Sequence, residues 1–258
     1  MAITLKSPKE IKDIKIAGGI LAKILKVLAK EAKEGVSTKQ LDNLAYQLAK
    51  KYGAQPSFLG YRPDEALKPF GASICASLND VVVHGLPNNY KLHSGDVLKL
   101  DFGVEYRDAG KNFFADAAVT VGIGKISKEA KILIKATKLA LKKAINVAKP
   151  GNTLGDIGYA IERVAKENRL SVIRNLTGHG VGLAVHEEPI IYNYGDKGRG
   201  LVLKPGMVLA LEPMFSTGLG DIAQMPDESW ATADGSLSAQ FEHTLAITSK
   251  GHEILTEI

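Results

Sequence analysis

Cysteine is almost missing from this chain of 258 residues: the single Cys75 excludes an internal disulfide framework and any thiolate cage for zinc, and suits a reducing compartment. No apolar run reaches the roughly eighteen residues of a membrane span, and the N-terminal MAITLKSPKE has neither the apolar stretch nor the cleavage site of a secretory signal. These absences predict a cytoplasmic protein with no membrane partner. An Arg-rich block and nucleic-acid-binding motifs are also missing, which argues against sequence-specific nucleic-acid recognition. The net charge of +5 comes from lysines such as Lys23, Lys26, Lys30 and Lys33 spread along helix faces, leaving a basic surface suited to transient association with a polyanion such as the ribosome. There is no GxSxG elbow and no phosphate-binding glycine loop. Any metal must be held by histidine and carboxylates.

What is present builds a core. With 45% hydrophobic and 24% charged residues the composition is that of an ordinary globular protein. Ser7-Pro8-Lys9-Glu10 is a capping box, followed by Ile11, Ile14, Ala17, Ile20, Leu21, Ile24 and Leu28 at helical spacing, and predicts a helix to about Glu34. A second box at Ser37 to Gln40 opens a helix that stops near Gly53. A breaker-rich loop spans 56–71. From Ala72 to about Ile123 the pattern turns to strands, ASICASL, VVVHG, DVLKLDFGV and NFFADAAVTVGI, separated by turn signals such as Asp108-Ala109-Gly110. Helical spacing returns at Ser127, Thr153 caps a shorter helix, and four further β runs follow: SVIRNLTG, MVLALEPMF, SLSAQFEHTLAI and HEILTEI.

Helix, helix, strands thus occurs twice, the helix starts lying about 120 residues apart. This predicts one α+β domain over 1–258, made of two related halves of about 1–126 and 127–258, each laying a helix pair on a mainly antiparallel sheet.

Two features point to chemistry. Thr177 to Pro189 reads TGHGVGLAVHEEP, a glycine-rich stretch with His179 and His186 seven residues apart. Asp101, Asp116, Glu212 and Glu242 each lie in an apolar, strand-like run, where an ionised carboxylate is costly unless paired or bound to a cation. Four such acids carry −4, the charge that two divalent cations would neutralise, and without metal they would raise one another's pKa. Oxygen ligands with one imidazole suit Mn²⁺, Fe²⁺, Co²⁺ or Zn²⁺.

The order His84 in NDVVVHGLP, Asp101 in LDFGV, Asp116 in ADAAVT, His179 in TGHGVG, His186 in VHEEP, Glu212 in GMVLALEPM and Glu242 in SLSAQFEHT resembles the type I methionine aminopeptidases over nearly the whole chain. The resemblance implies the pseudo-two-fold pita-bread fold and removal of the initiator methionine from nascent proteins and peptides whose second residue is small. It implies two divalent metal ions, with Asp116 and Glu242 bridging them, His179 and Glu212 completing one shell and Asp101 chelating the other. A metal-bridging hydroxide would be the nucleophile, Glu212 its proton shuttle, and His84 and His186 non-ligand histidines contacting the scissile amide. For the methionine side chain it points to Phe58, Tyr61, Phe70, Cys75 and Trp230, and a monomer is expected.

The chain departs from the family pattern in longer spans from Tyr61 to Phe70 and from Asp101 to Asp116, a shorter one from Trp230 to Glu242, and Val185 where many relatives place an aromatic. HEEPI shares only its first two residues with the zincin HExxH, and Pro189 breaks the helix that motif requires. Prolidase-like relatives carry an extra N-terminal domain, and type II relatives insert a subdomain where only 30 residues separate Glu212 from Glu242. A metal-free binding protein on the same scaffold would need none of the five ligands. Glu187, Glu188, His93, His243 and His252 are left outside the metal shell.

Overall fold

Each helix begins where its capping residue stands. The structure, a computed structural model, describes residues 3–62 and 67–257. Helix α1 (Pro8–Glu31) starts at Ser7, whose side chain accepts the Glu10 N–H while the Glu10 carboxylate accepts the Ser7 N–H. Helix α2 (Thr38–Lys51) repeats the device with Ser37 and Gln40, α3 (Lys128–Val147) is capped by Ser127, and α4 (Leu154–Glu167) by Thr153 with Asp156. Such a cap is worth about 0.5–2 kcal/mol. Helix α1 stops three residues before the expected Glu34. Gly35 takes φ +83° there and donates its N–H to the Leu92 carbonyl, so the segment docks on 90–92 instead of adding a helical turn.

The strands are β1 (Gln55–Pro56), β2 (Cys75–Leu78), β3 (Val81–Val83), β4 (Val97–Asp108), β5 (Lys111–Gly122), β6 (Ser171–Val172), β7 (Thr177–Gly180), β8 (Glu187–Tyr192), β9 (Val208–Leu211), β10 (Met214–Ser216), β11 (Ile222–Gln224), β12 (Trp230–Thr232), β13 (Ser238–Gln240), β14 (His243–Thr248) and β15 (Gly251–Ile254). Three expected single strands are divided: MVLALEPMF breaks at Glu212-Pro213, SLSAQFEHTLAI at Phe241-Glu242, and SVIRNLTG between Val172 and Thr177. Pro213 has no N–H to continue a ladder, which accounts for the first break. Strands β1, β8, β11 and β12 carry too little alternation to announce themselves. Of the loop 56–71, residues 63–66 lie outside the described residues.

Every strand pair is antiparallel. A first sheet has the order β1-β4-β2 with β5 on β4, a second runs β15-β14-β9-β7-β8, and two three-stranded sheets, β13-β10-β6 and β11-β12-β3, lie beside them. The β4–β5 hairpin keeps unbroken register from Val97↔Gly122 to Asp108↔Lys111. Its two turn residues, Ala109 and Gly110, have φ of 47° and 79°, the doubly positive turn that matches strand twist.

Helices α1 and α2 cover the first sheet. Ile14, Leu21, Ile24 and Leu28 pack with Phe102, Val104, Phe113 and Ala115 in one buried cluster. Helices α3 and α4 contribute Leu133, Ala140, Ile157 and Ile161 to a second, with Leu209, Leu211, Phe215 and Leu245. Each such leucine, isoleucine, valine or phenylalanine side chain stabilises by about 1.5–3 kcal/mol when taken out of water. Val119 on β5 packs against both clusters, so the two helix-and-sheet layers meet at this strand.

Candidate active site

The hairpin sets the first two acids. Asp101 stands opposite Ala118 and Asp116 opposite Gly103, an offset of two residues that puts both carboxylates on one face. Gly103 is needed for what lies above it: a Cβ there would collide with Ser57 Oγ and sit 2.7 Å from Phe58 Cε1. The bare glycine lets 57–58 lie on the hairpin and brings the Phe58 ring to the same face.

The other ligand candidates come from the five-stranded sheet. His179 on β7 pairs with Ala210 on β9, Glu212 follows the last residue of β9, and Glu242 precedes His243, which pairs with Leu211. The glycine-rich stretch around His179 folds as two strands joined by a turn. Gly180 lies so close to the Glu188 carbonyl that a Cβ would collide with it, and the Gly182 carbonyl accepts the Phe114 N–H at 2.8 Å, tying the turn to the hairpin.

The two groups are stitched along the outer edge of β5. Thr244 Oγ1 donates to the Asp116 carbonyl at 2.7 Å and accepts the Asp116 N–H at 2.9 Å. The Glu242 N–H donates to the Ala118 carbonyl at 2.9 Å, and Thr120 Oγ1 donates to the Gln240 carbonyl at 2.5 Å while accepting its N–H at 3.0 Å. Gln240 Nε2 also donates to Glu212 Oε2 at 3.0 Å. Sequence reasoning missed Gln240 and Thr244. Their signal was a run of polar residues, Ser238, Gln240, Glu242 and Thr244, at every second position of a strand-like segment.

The four acids are all buried, with relative exposures of 8, 4, 8 and 2% for Asp101, Asp116, Glu212 and Glu242. Burial is the largest cause raising each pKa. It carries Asp101 to about 7, and the neighbouring acids push Asp116, Glu212 and Glu242 further up. Among the described residues no lysine or arginine pairs with them. Asp101 Oδ1, Asp116 Oδ1 and Glu242 Oε1 are buried with no hydrogen-bond partner, each a cost of about 1–3 kcal/mol. Ligand atoms of Asp116, His179 and Glu242 lie within 4.8 Å of one another, and His179 Nε2 is 3.6 Å from Glu212 Oε1. His179 Nδ1 lies 2.8 Å from the Gly180 carbonyl, which can only accept, so the ring proton sits on Nδ1 and Nε2 offers a lone pair. Burial lowers the His179 pKa and keeps the ring neutral. Oxygen-rich, anionic and short of donors, the cluster fits a divalent cation.

Beside it the site turns apolar. Phe58, Cys75 and Val185 form a small cluster flanked by Tyr61, Phe70 and Phe114, with the Phe58 and Phe70 rings edge-on at 6.5 Å. His186 is edge-on to His179 at 4.4 Å and its Nδ1 is 2.8 Å from the Tyr61 hydroxyl. Burial first, then His179 and His84, lower its pKa to about 3. His84 is also held neutral by burial and has a left-handed backbone, φ +60°, a conformation costing about 1–3 kcal/mol that clusters at functional sites. Trp230 pairs with Val83 next to it. One cavity of about 800 Å³ is lined by all twelve residues singled out from the sequence: His84, Asp101, Asp116, His179, His186, Glu212, Glu242, Phe58, Tyr61, Phe70, Cys75 and Trp230.

Of the residues left out of the cluster, Glu188 lines the cavity, and Glu187 and the three histidines have other partners. Glu187 lines the cavity but pairs with Lys6 at 2.5 Å and accepts the Leu183 and Ala184 N–H groups, which closes the 183–187 turn. His93, His243 and His252 contact Tyr90, Thr256 and the Ala148 carbonyl, away from the cavity.

Comparison with known proteins bears on the family and the fold. A model of metallopeptidase family M24 matches residues 12–249. The methionine aminopeptidase of Aquifex aeolicus is 45% identical over 263 residues, with 100% of both chains covered. The crystal structure of methionine aminopeptidase from Thermotoga maritima superposes with a TM-score of 0.93 at 38% identity, again over 100% of both chains. The prolidase from Pyrococcus horikoshii shares the fold with a TM-score of 0.75 at 25% identity, this chain spanning 63% of its length. The expected α+β pita-bread fold is the one observed.

Proposed function

The chain belongs to metallopeptidase family M24, and on that premise we propose that it is a methionyl aminopeptidase, removing the N-terminal methionine from nascent chains and peptides whose second residue is small. Full-length likeness to methionine aminopeptidases supports the activity. The observation that carries the site is the meeting of three orphaned carboxylate oxygens and a lone-pair imidazole with an apolar wall in one cavity.

Asp101, Asp116, His179, Glu212 and Glu242 hold two divalent ions of the Co²⁺, Mn²⁺, Fe²⁺ or Zn²⁺ class. Bound there, such ions supply Lewis acidity toward a carbonyl and acidify water. The chain's own residues do the rest. Gln240 fixes Glu212 Oε2, leaving Oε1 to accept the proton of the attacking water and return it to the leaving amine. With the Tyr61 hydroxyl donating to His186 Nδ1, the His186 proton sits on Nε2 as a neutral donor for the developing oxyanion, and His84 contacts the scissile amide. Phe58, Tyr61, Phe70, Cys75 and Trp230 surround the thioether, where aromatic faces and a soft sulfur suit methionine.

The whole chain acts as one catalytic domain of two halves, about 1–126 and 127–258. We place it in the cytoplasm as a monomer that associates transiently with the ribosome. Among the described residues no helix is long and apolar enough to cross a membrane.

The test is methionine release from Met-Ala or Met-Gly peptides after chelation and add-back of manganese, iron or cobalt, with Asp116→Asn and Glu242→Gln as controls. Turnover should vanish on chelation and in both variants. Full turnover without metal would overturn the proposal. His84→Ala should lose activity while retaining metal.

A further inference from the structure

Among the largest fully buried side chains of the described residues is a lysine that the proposed chemistry does not use. Lys99 is 0% exposed, lies on the same face of β4 as Asp101, and stands between Ser77 on β2 and Thr120 on β5. Its Nζ donates to the Asn79 carbonyl at 2.7 Å, to Ser238 Oγ at 3.1 Å and to the Ser238 carbonyl at 3.3 Å. Among the described residues no carboxylate pairs with it. Burial draws its pKa down to about 7, against which the charge of Asp80 works. Taking an ammonium out of water costs several kcal/mol, whereas a methionine would fill the same volume without that cost. Packing alone does not explain a lysine here.

The three oxygens belong to two parts of the site. Asn79, with φ +51°, is the turn between β2, which carries Cys75, and β3, which leads to His84. Its side chain is itself fixed to β4, accepting the Val97 N–H and donating to Asp96. Ser238 opens β13, two residues before Gln240 and four before Glu242. Lys99 itself sits two residues before Asp101. An ammonium has three N–H groups in a fixed tripod, and a carbonyl and hydroxyl cage satisfies them without adding negative charge beside the acid cluster.

From this geometry we infer that Lys99 is a positioning residue: its head group pins β4 and the β2–β3 turn to β13 and so sets the spacing between the hairpin acids and the acids of the second sheet. The inference rests on the proposed ligand set. Its consequence is that removing the cation loosens metal binding and slows turnover while the fold survives.

Lys99→Met keeps length and removes the donors. The expected result is about a tenfold fall in kcat with KM changed less than about twofold, and a smaller rise in the unfolding midpoint on adding Mn²⁺ than the wild type shows. Lys99→Ala leaves room in the cage, so ammonium chloride should restore part of the lost turnover and of the Mn²⁺-induced rise. Tetramethylammonium chloride at equal ionic strength, too large for the cage, should not. Should Lys99→Met fail to fold, Ser238→Ala, which removes one cage oxygen, takes its place, with about a threefold fall in kcat expected. Unchanged kcat and an unchanged Mn²⁺ rise in the folded variant would overturn the inference, as would a loss in Lys99→Ala that ammonium does not restore. A wild type without metal-dependent turnover would instead overturn the proposed function, which keeps the two failures apart.

Discussion

Replacing Thr244 by valine removes one hydroxyl and almost no volume, yet that hydroxyl serves both backbone groups of Asp116. Thr244 is 0% exposed and Asp116 4%, so neither group has water to turn to. An orphaned buried N–H or C=O costs about 1–3 kcal/mol, and two of them, partly relaxed, come to roughly 2–4 kcal/mol. For a protein of this size each kcal/mol moves the unfolding midpoint by about 2–4 °C, so a fall of roughly 5–15 °C is expected with chelator present. Thr244→Ser keeps the hydroxyl and loses one methyl, worth about 0.8 kcal/mol, and should unfold within a few degrees of the wild type. Thermal unfolding followed by circular dichroism reads both. The reasoning fails if Thr244→Val is as stable as the wild type, or if the serine variant is as unstable as the valine one, because the hydroxyl would then not be the link.

Two further outcomes follow from the electrostatics and the hydrogen bonds. Asp101 binds its proton more tightly folded than unfolded, since burial raises its pKa from 3.8 to about 7. Its contribution to stability is therefore intact below the unfolded value and is lost as pH rises through about 7. In chelator, Asp101→Asn should match the wild type near pH 4 and exceed it in unfolding midpoint at pH 8; a difference that stays constant with pH would contradict this. Tyr61→Phe keeps the ring against His186 and removes the 2.8 Å hydrogen bond. One such bond is worth about 0.5–1.5 kcal/mol net, so kcat should fall roughly 2- to 12-fold at unchanged metal content, and full activity would remove Tyr61 from the orienting role.

What the sequence made legible depended on whether the deciding interaction was local. Ser7 with Glu10, Ser37 with Gln40 and Thr153 with Asp156 each satisfy backbone groups within one helical turn, so the helix starts could be placed from the residues alone. The β4–β5 turn was equally local, in Ala109-Gly110. The acids were legible for a different reason: a carboxylate in an apolar run conflicts with its surroundings wherever the strand goes. Strand β8 was missed because it is held by pairing to β7, not by its own alternation, and the breaks after Leu211 and before His243 were missed because strand-like residues stand on both sides of them. Gln240 and Thr244 are uncharged, so nothing in their own chemistry set them apart until β5 was seen to lie against them.

The placing of those breaks bears on how the site works. Had β9 and β14 continued without interruption, the alternation of an unbroken ladder would govern where each side chain points. Ending β9 at Leu211 and starting β14 at His243 frees Glu212 and Glu242 from that alternation, while the Glu242 N–H is taken up by Ala118 of the first sheet. The acids thus sit where two sheets meet, the backbones of Asp116 and Glu242 held by the opposite sheet or by a polar side chain from it. Their mutual repulsion tends to part the sheets, and Thr120, Thr244 and Lys99 oppose it with hydrogen bonds that add no negative charge. A cation entering the cluster reverses the sign of that force. Metal binding and sheet docking are on this account one equilibrium, and substitutions in the stitching residues should weaken both together.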